Sequence, residues 1–245
     1  MRINGRLLPS VFPSHVKKGW GMKELDEKYE ALPKELLRVT AHCVTPVILG
    51  DDGVIHLDSV IGSAVAAAHP CPFKHDCWDV FPMPLAILWQ DDRGYPLWAA
   101  TDLQPVGDKA VGREYWHKRY PADKAPFGKK QNANTTAGRW REYRVPVETV
   151  ACERFEAACI GNREEVQQLL DHIGHIGKKT GAGYGKVAKW TVEPMHDEQP
   201  EMLVALNRPL PLEYARKNCI VGVRGRRGWT PPYWFAPNWT ECVRP

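Results

Sequence analysis

The sequence predicts an α+β protein, and two kinds of hydrophobic periodicity lead to that prediction. Polar and apolar residues alternate with period two from Arg38 to Thr45, as in a strand. An apolar stripe with helical spacing runs through Val166, Leu169 and Ile173, as in an amphipathic helix. Along the chain, the patterned segments follow the order strand, helix, strands, long insertion, strand, helix, strand. This order is compatible with a ferredoxin-like sheet that carries its helices on one face.

The segments before and after the first strand are predicted to be helical. Residues 1–33 form an N-terminal arm, which we expect to be partly helical at 22–32. After the strand, a helix is expected to begin near Asp58, whose side chain would cap the free amides of the first turn. Pro70 ends this helix, because proline cannot donate the next backbone hydrogen bond.

The middle of the chain is predicted to contain a strand pair, a long loop and another strand. Two apolar runs at 84–89 and 95–100 flank an Asp-Asp-Arg-Gly turn signal. The stretch 104–138 is polar and rich in glycine, lysine and asparagine, so we interpret it as a functional or disordered loop. A strand-like alternation returns at 139–150.

The second helix has the clearest local signals in the sequence. Asn162 is the predicted cap, Glu165 completes a capping box, and Gly174 ends the helix. A strand pattern follows at 186–193. The predicted organisation is an N-terminal arm at 1–33, a main domain at 34–213 with its insertion at about 104–138, and a C-terminal extension at 214–245.

Composition excludes some classes of protein and favours others. No apolar run approaches the roughly 18 residues of a transmembrane helix, so no membrane partner is expected. The first residues lack the apolar stretch of a secretory signal, and the 7 cysteines show no framework spacing, so we expect a cytoplasmic protein with free thiols. A net charge of +4 is only mildly basic. The distribution of charge is more informative, because lysine and arginine cluster together with aromatic residues.

The most informative segment is 173–187, which has five glycines within twelve residues between a capped helix and a strand. Glycine permits positive φ and close backbone approach, so successive amides could face a phosphate while Lys178, Lys179 and Lys186 supply countercharge. A dinucleotide fingerprint is excluded, because that motif follows a strand and opens a helix. The alternative interpretation is a glycine-rich connector.

Several segments resemble a known family. The helix followed by Gly-Lys-Lys-x-x-Gly-x-Gly-x-Val is similar to the glycine-rich loop of the RAMP superfamily of CRISPR proteins. The segment 55–65 resembles the His-Leu-Asp motif that opens the first helix in these proteins, and 116–120 and 207–212 agree with the type IV member of the Cas five family. The resemblance covers 38–213. It implies a non-catalytic subunit that caps the single-stranded 5′ handle of the guide RNA (crRNA).

The resemblance also implies partners and a second RNA contact. The basic and aromatic insertion would form a thumb-like hairpin that grips the guide and contacts the adjacent backbone subunit of the effector complex; the alternative is a solvated surface loop. Target DNA is a further candidate partner, and no cofactor or metal is predicted. The predicted RNA-binding residues are Gly177, Lys178, Lys179, Thr180, Gly181, Gly183, Tyr184, Gly185, Lys186, Trp116, His117, Lys118, Arg119, Arg139, Trp140, Arg141 and Arg144.

Three other features were weighed against this interpretation. The four candidate zinc ligands His69, Cys71, His75 and Cys77 are more compact than a usual structural site, which takes two separated ligand pairs, so incidental polar residues are favoured. His42 and His56 are the candidates for a competing function, a metal-independent endoribonuclease that processes crRNA, but no acid and base partner stands at convincing spacing. The basic cluster 224–229 could contact RNA or a partner.

Overall fold

The structure is a computed structural model that describes residues 2–3, 6–7, 22–50, 53–69, 82–120, 134–138 and 141–245. Its helices are α1 (Met22–Ala31), α2 (Leu57–Ala68), α3 (Arg163–Asp171), α4 (Pro200–Ala205) and α5 (Leu212–Lys217). Its strands are β1 (Arg2–Ile3), β2 (Arg6–Leu7), β3 (Glu35–Cys43), β4 (Val47–Ile48), β5 (Ile55–His56), β6 (Ile87–Gln90), β7 (Pro96–Trp98), β8 (Asp102–Lys118), β9 (Tyr143–Gly161), β10 (Val187–Pro194), β11 (Leu210–Pro211), β12 (Val223–Gly228) and β13 (Trp239–Arg244). The predicted α+β class is confirmed.

The largest sheet has the strand order β10–β3–β9–β8–β5, and β4 pairs with β9 beside this path. All of these pairs are antiparallel. Alternate residues of β3, including Leu37 and Val39, lie in one core with Ile61 of α2 and Leu170 of α3. The next residue in the alternation, Leu36, packs instead with residues of α4. β3 is therefore buried on both faces near its beginning.

The local predictions for the helices had different outcomes. The Asn162 cap is confirmed, because its Oδ1 accepts a hydrogen bond from the Glu165 amide at 3.1 Å. The helix predicted at 22–32 is present as α1, which buries Leu25 in the main core. The cap predicted for α2 is wrong: His56 occupies the N-cap, and Asp58 lies inside the first turn with its side chain buried. Asp58 has another partner, described below.

The largest error of the sequence analysis concerns the predicted loop at 104–138. Residues up to Lys118 belong to β8, which pairs with β9 from Gln104↔Glu156 to Lys118↔Tyr143. A strand that is exposed on both faces needs no alternation of apolar and polar residues, so the β8 side of the hairpin shows no strand pattern in its sequence. A bulge between Val106 and Lys109, with Gly107 at φ 84°, further interrupts the pattern.

The last part of the chain forms a second, smaller sheet. Its strand order is β11–β13–β12, and it buries a separate cluster that includes Leu210, Tyr214, Trp229 and Val243. Leu97 of β7 belongs to the same cluster, so this sheet packs against the β6–β7 hairpin. Among the helices that the structure describes, none has the length and apolar character needed to cross a membrane.

Candidate nucleic-acid interface

The distal part of the β8–β9 hairpin is a two-stranded ribbon, which we define as Arg113–Lys118 paired with Tyr143–Glu148. Within the described residues, no third strand pairs with this ribbon. Successive side chains of a strand point to opposite faces of the sheet, so Glu114 and Trp116 lie on one face and Tyr115 on the other. The ribbon thus carries two chemically different surfaces.

The glycine-rich segment, here called the glycine loop (173–187), has several residues with left-handed backbone conformations. Gly177, Lys179, Gly183 and Gly185 have φ values of 79°, 60°, 92° and 64°. At two of these positions the absence of a side chain is required by packing. A Cβ at Gly177 would collide with the carbonyl oxygen of Ile48, and one at Gly185 with that of Ile176.

The glycine loop is fixed to the end of β3 and to β4 by its backbone. The Lys178 amide donates to the Ile48 carbonyl at 2.7 Å, and the Lys186 amide donates to the Thr45 hydroxyl at 2.8 Å. The Gly185 amide donates to the carbonyl of residue 46 at 2.8 Å. The expectation that successive amides of the loop face a phosphate is therefore wrong for these residues, because the fold uses them. Thr180, Gly181 and Ala182 form an exposed 3-10 turn.

The glycine loop and the ribbon contact each other directly. Lys179 Nζ lies 4.4 Å from the centre of the Trp116 ring, a cation–π contact. The Tyr184 hydroxyl donates a hydrogen bond to the Glu114 carboxylate. That hydrogen bond raises the pKa of Tyr184, with a smaller contribution from burial, so the phenol remains a donor at neutral pH. Two segments separated by about sixty residues of sequence are thereby joined into one surface.

The remaining predicted residues of the insertion lie along the ribbon and at its end. Arg144 stacks its guanidinium 4.1 Å from the centre of the Tyr115 ring, on the face away from the glycine loop. An open groove of about 790 Å³ is lined by Tyr115, His117, Lys118, Arg119, Glu142, Tyr143 and Arg144. Arg141 is exposed just before β9. Arg139 and Trp140 lie outside the described residues.

Two of the segments that resemble the family are brought together in the interior. Arg208, from 207–212, is 1% exposed and donates to Asp58 Oδ2 at 3.0 Å. It also donates to the carbonyl oxygens of Trp229 and Ala100, at 2.8 and 2.9 Å. The Tyr233 hydroxyl donates to Asp58 at 2.9 Å, and burial raises the pKa of Tyr233 well above its usual value. These residues connect α2 to the smaller sheet.

A second pair of buried polar side chains, His56 and Asp102, lies beside Arg208 and Asp58. His56 Nδ1 lies 2.5 Å from Asp102 Oδ1, and the Arg244 guanidinium donates to Asp102 Oδ2 at 2.6 Å. The His56 ring also stacks on Tyr233, with ring centres 3.7 Å apart. His56, a candidate for RNA cleavage in the sequence, is thus a buried residue held between an aspartate and a tyrosine. His42 lies on β3, half-buried, opposite Lys189 and Arg154.

The candidate zinc ligands are only partly described. His69 follows the last residue of α2, and burial lowers its pKa, with Lys28 adding to the shift. Cys71, His75 and Cys77 lie outside the described residues. Within the part of the chain that the structure describes, no group of three or more histidine, cysteine or acidic side chains is arranged to hold a metal ion.

Sequence analysis missed the residues that join the predicted sites. Glu114 accepts from Tyr184, but an acidic residue inside a basic stretch carries no signal for such a contact. Tyr233 and Arg244 lie beyond the resembling segments and were not assigned a role. One signal was available in the sequence, because Asp58 stands among the apolar residues at the start of α2. An aspartate that is buried there needs a cationic or hydrogen-bonding partner.

The sequence matches a protein-family model over most of its length. The model described as CRISPR type IV associated protein Csf3 matches residues 35–245. The chain belongs to the Csf3 family. The matched range of this Csf3-family chain includes the smaller sheet as well as the main one.

The other comparisons add little to the family match. A search of curated protein sequences found no match for this Csf3-family chain. Among solved structures, it is similar to a chain of the type III-B Cmr-beta complex bound to cognate target RNA, determined by cryo-EM. The TM-score is 0.39 at 13% sequence identity, and the similarity covers 70% of this chain and 65% of that one. The chain therefore spans slightly less than two thirds of that relative.

The glycines of the loop are expected to differ in what they tolerate. Gly185→Ala should destabilise the fold strongly, because the new Cβ meets the Ile176 carbonyl at a positive φ. Gly181→Ala should have almost no effect, because a Cβ there meets nothing within 4 Å and Gly181 has no positive φ. Thermal unfolding of the two variants measures this. Equal melting temperatures would contradict the loop conformation.

Proposed function

We propose that this Csf3-family chain is a non-catalytic RNA-binding subunit, of the Cas five type, in a type IV CRISPR ribonucleoprotein. It would hold the 5′ handle of the guide RNA and contact the adjacent backbone subunit. The observation that carries the proposal is the contact between the glycine loop and the ribbon, through Lys179 and Trp116. A loop rich in lysine and a basic, aromatic ribbon form one surface, and membership of a CRISPR type IV family favours RNA as its ligand.

The chemistry of this surface suits a single strand. Lys178, Lys179 and Lys186 place cations along the glycine loop, where they can meet successive phosphates. Trp116 offers an indole on the facing strand, and stacking on aromatic rings is the usual way in which unpaired bases are held. The Lys179 contact fixes the orientation of that indole before RNA arrives, which reduces the entropy lost on binding.

The main sheet supports the ferredoxin-like part of the proposal. Its elements follow the chain order strand (β3), helix (α2), strand (β8), strand (β9), helix (α3) and strand (β10). The short strands β4 and β5 lie between β3 and α2, and β6 and β7 lie between α2 and β8. Without these short strands, the order is the βαββαβ order of a ferredoxin-like core. The long ribbon is then an extension of the central hairpin of that core.

The proposal is tested by the salt dependence of binding to an RNA that carries the 5′ handle. If about six phosphates are neutralised, the slope of log K against log salt should be near −4, from about −0.7 per contact on a single strand. The full-length protein and a fluorescently labelled RNA suffice for a titration by anisotropy. A slope near zero, or equal affinity for an uncharged strand of the same sequence, would refute the proposal.

The RNA products distinguish a nuclease from a binding subunit. His42→Ala should leave the length and 5′ end of the guide RNA unchanged when a separate processing nuclease is present, because the residues opposite His42 are Lys189 and Arg154 and neither supplies a carboxylate as its partner. Denaturing gels of the co-expressed RNA measure this. Loss of a general acid or base slows cleavage by roughly a hundredfold or more. Accumulated precursor with a folded variant would therefore assign the chain to the processing enzymes.

A further inference from the structure

The smaller sheet has an edge strand with an unusual density of arginine. Arg224, Arg226 and Arg227 lie on β12, which pairs only with β13 among the described strands. Arg224 and Arg226 are exposed, and neither forms an ion pair or a side-chain hydrogen bond within the described part of the chain. The fold therefore does not use these two charges.

Other arginines of the same region form ion pairs with aspartates, unlike Arg224 and Arg226. Arg208 is paired with Asp58, Arg244 with Asp102, and Arg93 with Asp91. Glu241 stands directly opposite Arg226 in the sheet, yet no ion pair forms between them. Both arginines therefore keep their donors available, and a guanidinium presents a planar fork that matches the oxygens of a phosphate.

The side chains of Arg224 and Arg226 lie on the same face of the smaller sheet. Residues two apart on a strand share a face and lie about 7 Å apart, so Arg224 and Arg226 can each reach a different phosphate of one nucleic-acid strand. Trp239 stands opposite Gly228 and leaves the sheet on the same face. It is 43% exposed, and its Nε1 donates to the Tyr233 carbonyl at 2.7 Å, which holds the ring in place.

We infer that Arg224, Arg226 and Trp239 form a second nucleic-acid contact, in which the two arginines bind the phosphodiester backbone of a single strand and the indole stacks on one of its bases. This inference deepens the proposed function and rests on it, because it presumes a nucleic acid bound elsewhere on the chain. The strand is either the guide RNA beyond its handle or the target DNA, which share this chemistry. A protein strand is disfavoured as the ligand, because charged side chains along an edge oppose the addition of another strand.

The test compares a double variant, R224A/R226A, with a matched control, R216A/K217A. The control removes the same number of charges from α5, which directly follows β11 at the opposite edge of the same sheet. Four labelled probes are titrated against the full chain: a handle-length RNA, the same RNA extended by a spacer, a single-stranded DNA of spacer length, and a DNA duplex. A third variant, K178E/K179E, tests the glycine loop in parallel.

We expect R224A/R226A to bind handle-length RNA like the wild type but to lose about a hundredfold on the extended RNA or on the single-stranded DNA. The salt slope on that probe should become shallower by about 1.4, which is two contacts at about 0.7 each. Loss on the extended RNA identifies the guide as the source of the strand, and loss on the single-stranded DNA identifies the target.

Three outcomes would overturn the inference. Wild-type affinity on all four probes leaves the arginines without a role in nucleic-acid binding. An equal loss in the R216A/K217A control shows a general effect of charge. Loss of a co-expressed protein subunit with unchanged affinities assigns the edge, with its exposed Val221 and Val223, to a protein partner. A different result would refute the proposed function: K178E/K179E would then bind handle RNA as well as the wild type does.

Discussion

Replacing Lys178 and Lys179 together by glutamate should weaken binding of handle RNA by a hundredfold or more. Each lysine is expected to make a charge-assisted contact with a phosphate, worth roughly 1.5–3 kcal/mol, and losing two such contacts reaches a hundredfold. Glutamate also adds repulsion, and it removes the cation that lies over the Trp116 ring. Anisotropy titrations at constant ionic strength measure the change.

The matched control for this variant is Lys189→Glu combined with Lys217→Glu. Both lysines are exposed, one on β10 and one at the end of α5, so the control changes the net charge equally outside the glycine loop. It should retain affinity within a few fold. Equal losses in both variants would show that RNA responds to the total charge of the protein and has no defined site on the loop.

Arg208→Ala should lower the free energy of unfolding by about 3–5 kcal/mol. The substitution leaves Asp58 buried without its cationic partner, and breaking a buried ion pair from one side carries this cost. It also removes the donors that hold the carbonyl oxygens of Ala100 and Trp229. The denaturation midpoint in urea measures the loss. If this variant does not fold, Arg208→Lys provides a milder test, because lysine keeps the charge but lacks the fork.

An exposed ion pair between an arginine and a glutamate supplies the control for the stability measurement. Arg113 and Glu148 lie 3.4 Å apart with side chains 62% and 71% exposed, so Arg113→Ala should cost less than about 1 kcal/mol. The double variant D58N/R208M should recover part of the stability that Arg208→Ala loses, since a buried pair replaced on both sides leaves no unpaired charge. Equal midpoints for Arg208→Ala and Arg113→Ala would contradict the buried network.

The elements that the sequence predicted well are those whose signal is local. Asn162 and the apolar stripe of α3 specify that helix within a dozen residues, and β3 and β10 show the alternation of half-buried strands. The glycine loop was identified for the same reason, because glycine spacing between a helix and a strand is visible in one segment. Its positive φ values at Gly177, Gly183 and Gly185 agree with the expected use of glycine for left-handed backbone.

The features that sequence reasoning missed depend on distant partners. The residues 104–118 show no strand pattern and predict a loop, because a strand with two exposed faces needs no hydrophobic period; only the resemblance implies a hairpin there. Asp58 was interpreted as a cap, because its partner Arg208 is 150 residues away. The contact of Tyr184 with Glu114 joins positions 70 residues apart, and neither residue type predicts the other. Such pairs are decided by topology and cannot be recognised in a single sequence.

The contact between the glycine loop and the ribbon also suggests how the two parts cooperate. Trp116 and Lys179 belong to elements with separate anchors: one continues the main sheet, and the other is fixed to Ile48 and Thr45 by backbone hydrogen bonds. A strand lying across them would touch both at once. Each side is held in place by the other, so a single substitution on either side should weaken the whole interface.

The central claim is that one RNA strand contacts the glycine loop and the ribbon together. Photo-cross-linking measures this most directly, with a handle RNA that carries 4-thiouridine at successive positions and with cross-linked peptides identified by mass spectrometry. We predict cross-links from the same RNA to peptides of the glycine loop that contain Tyr184 and to peptides of the ribbon that contain Trp116. Cross-links confined to the smaller sheet, or to neither segment in a complex that retains its RNA, would contradict the claim.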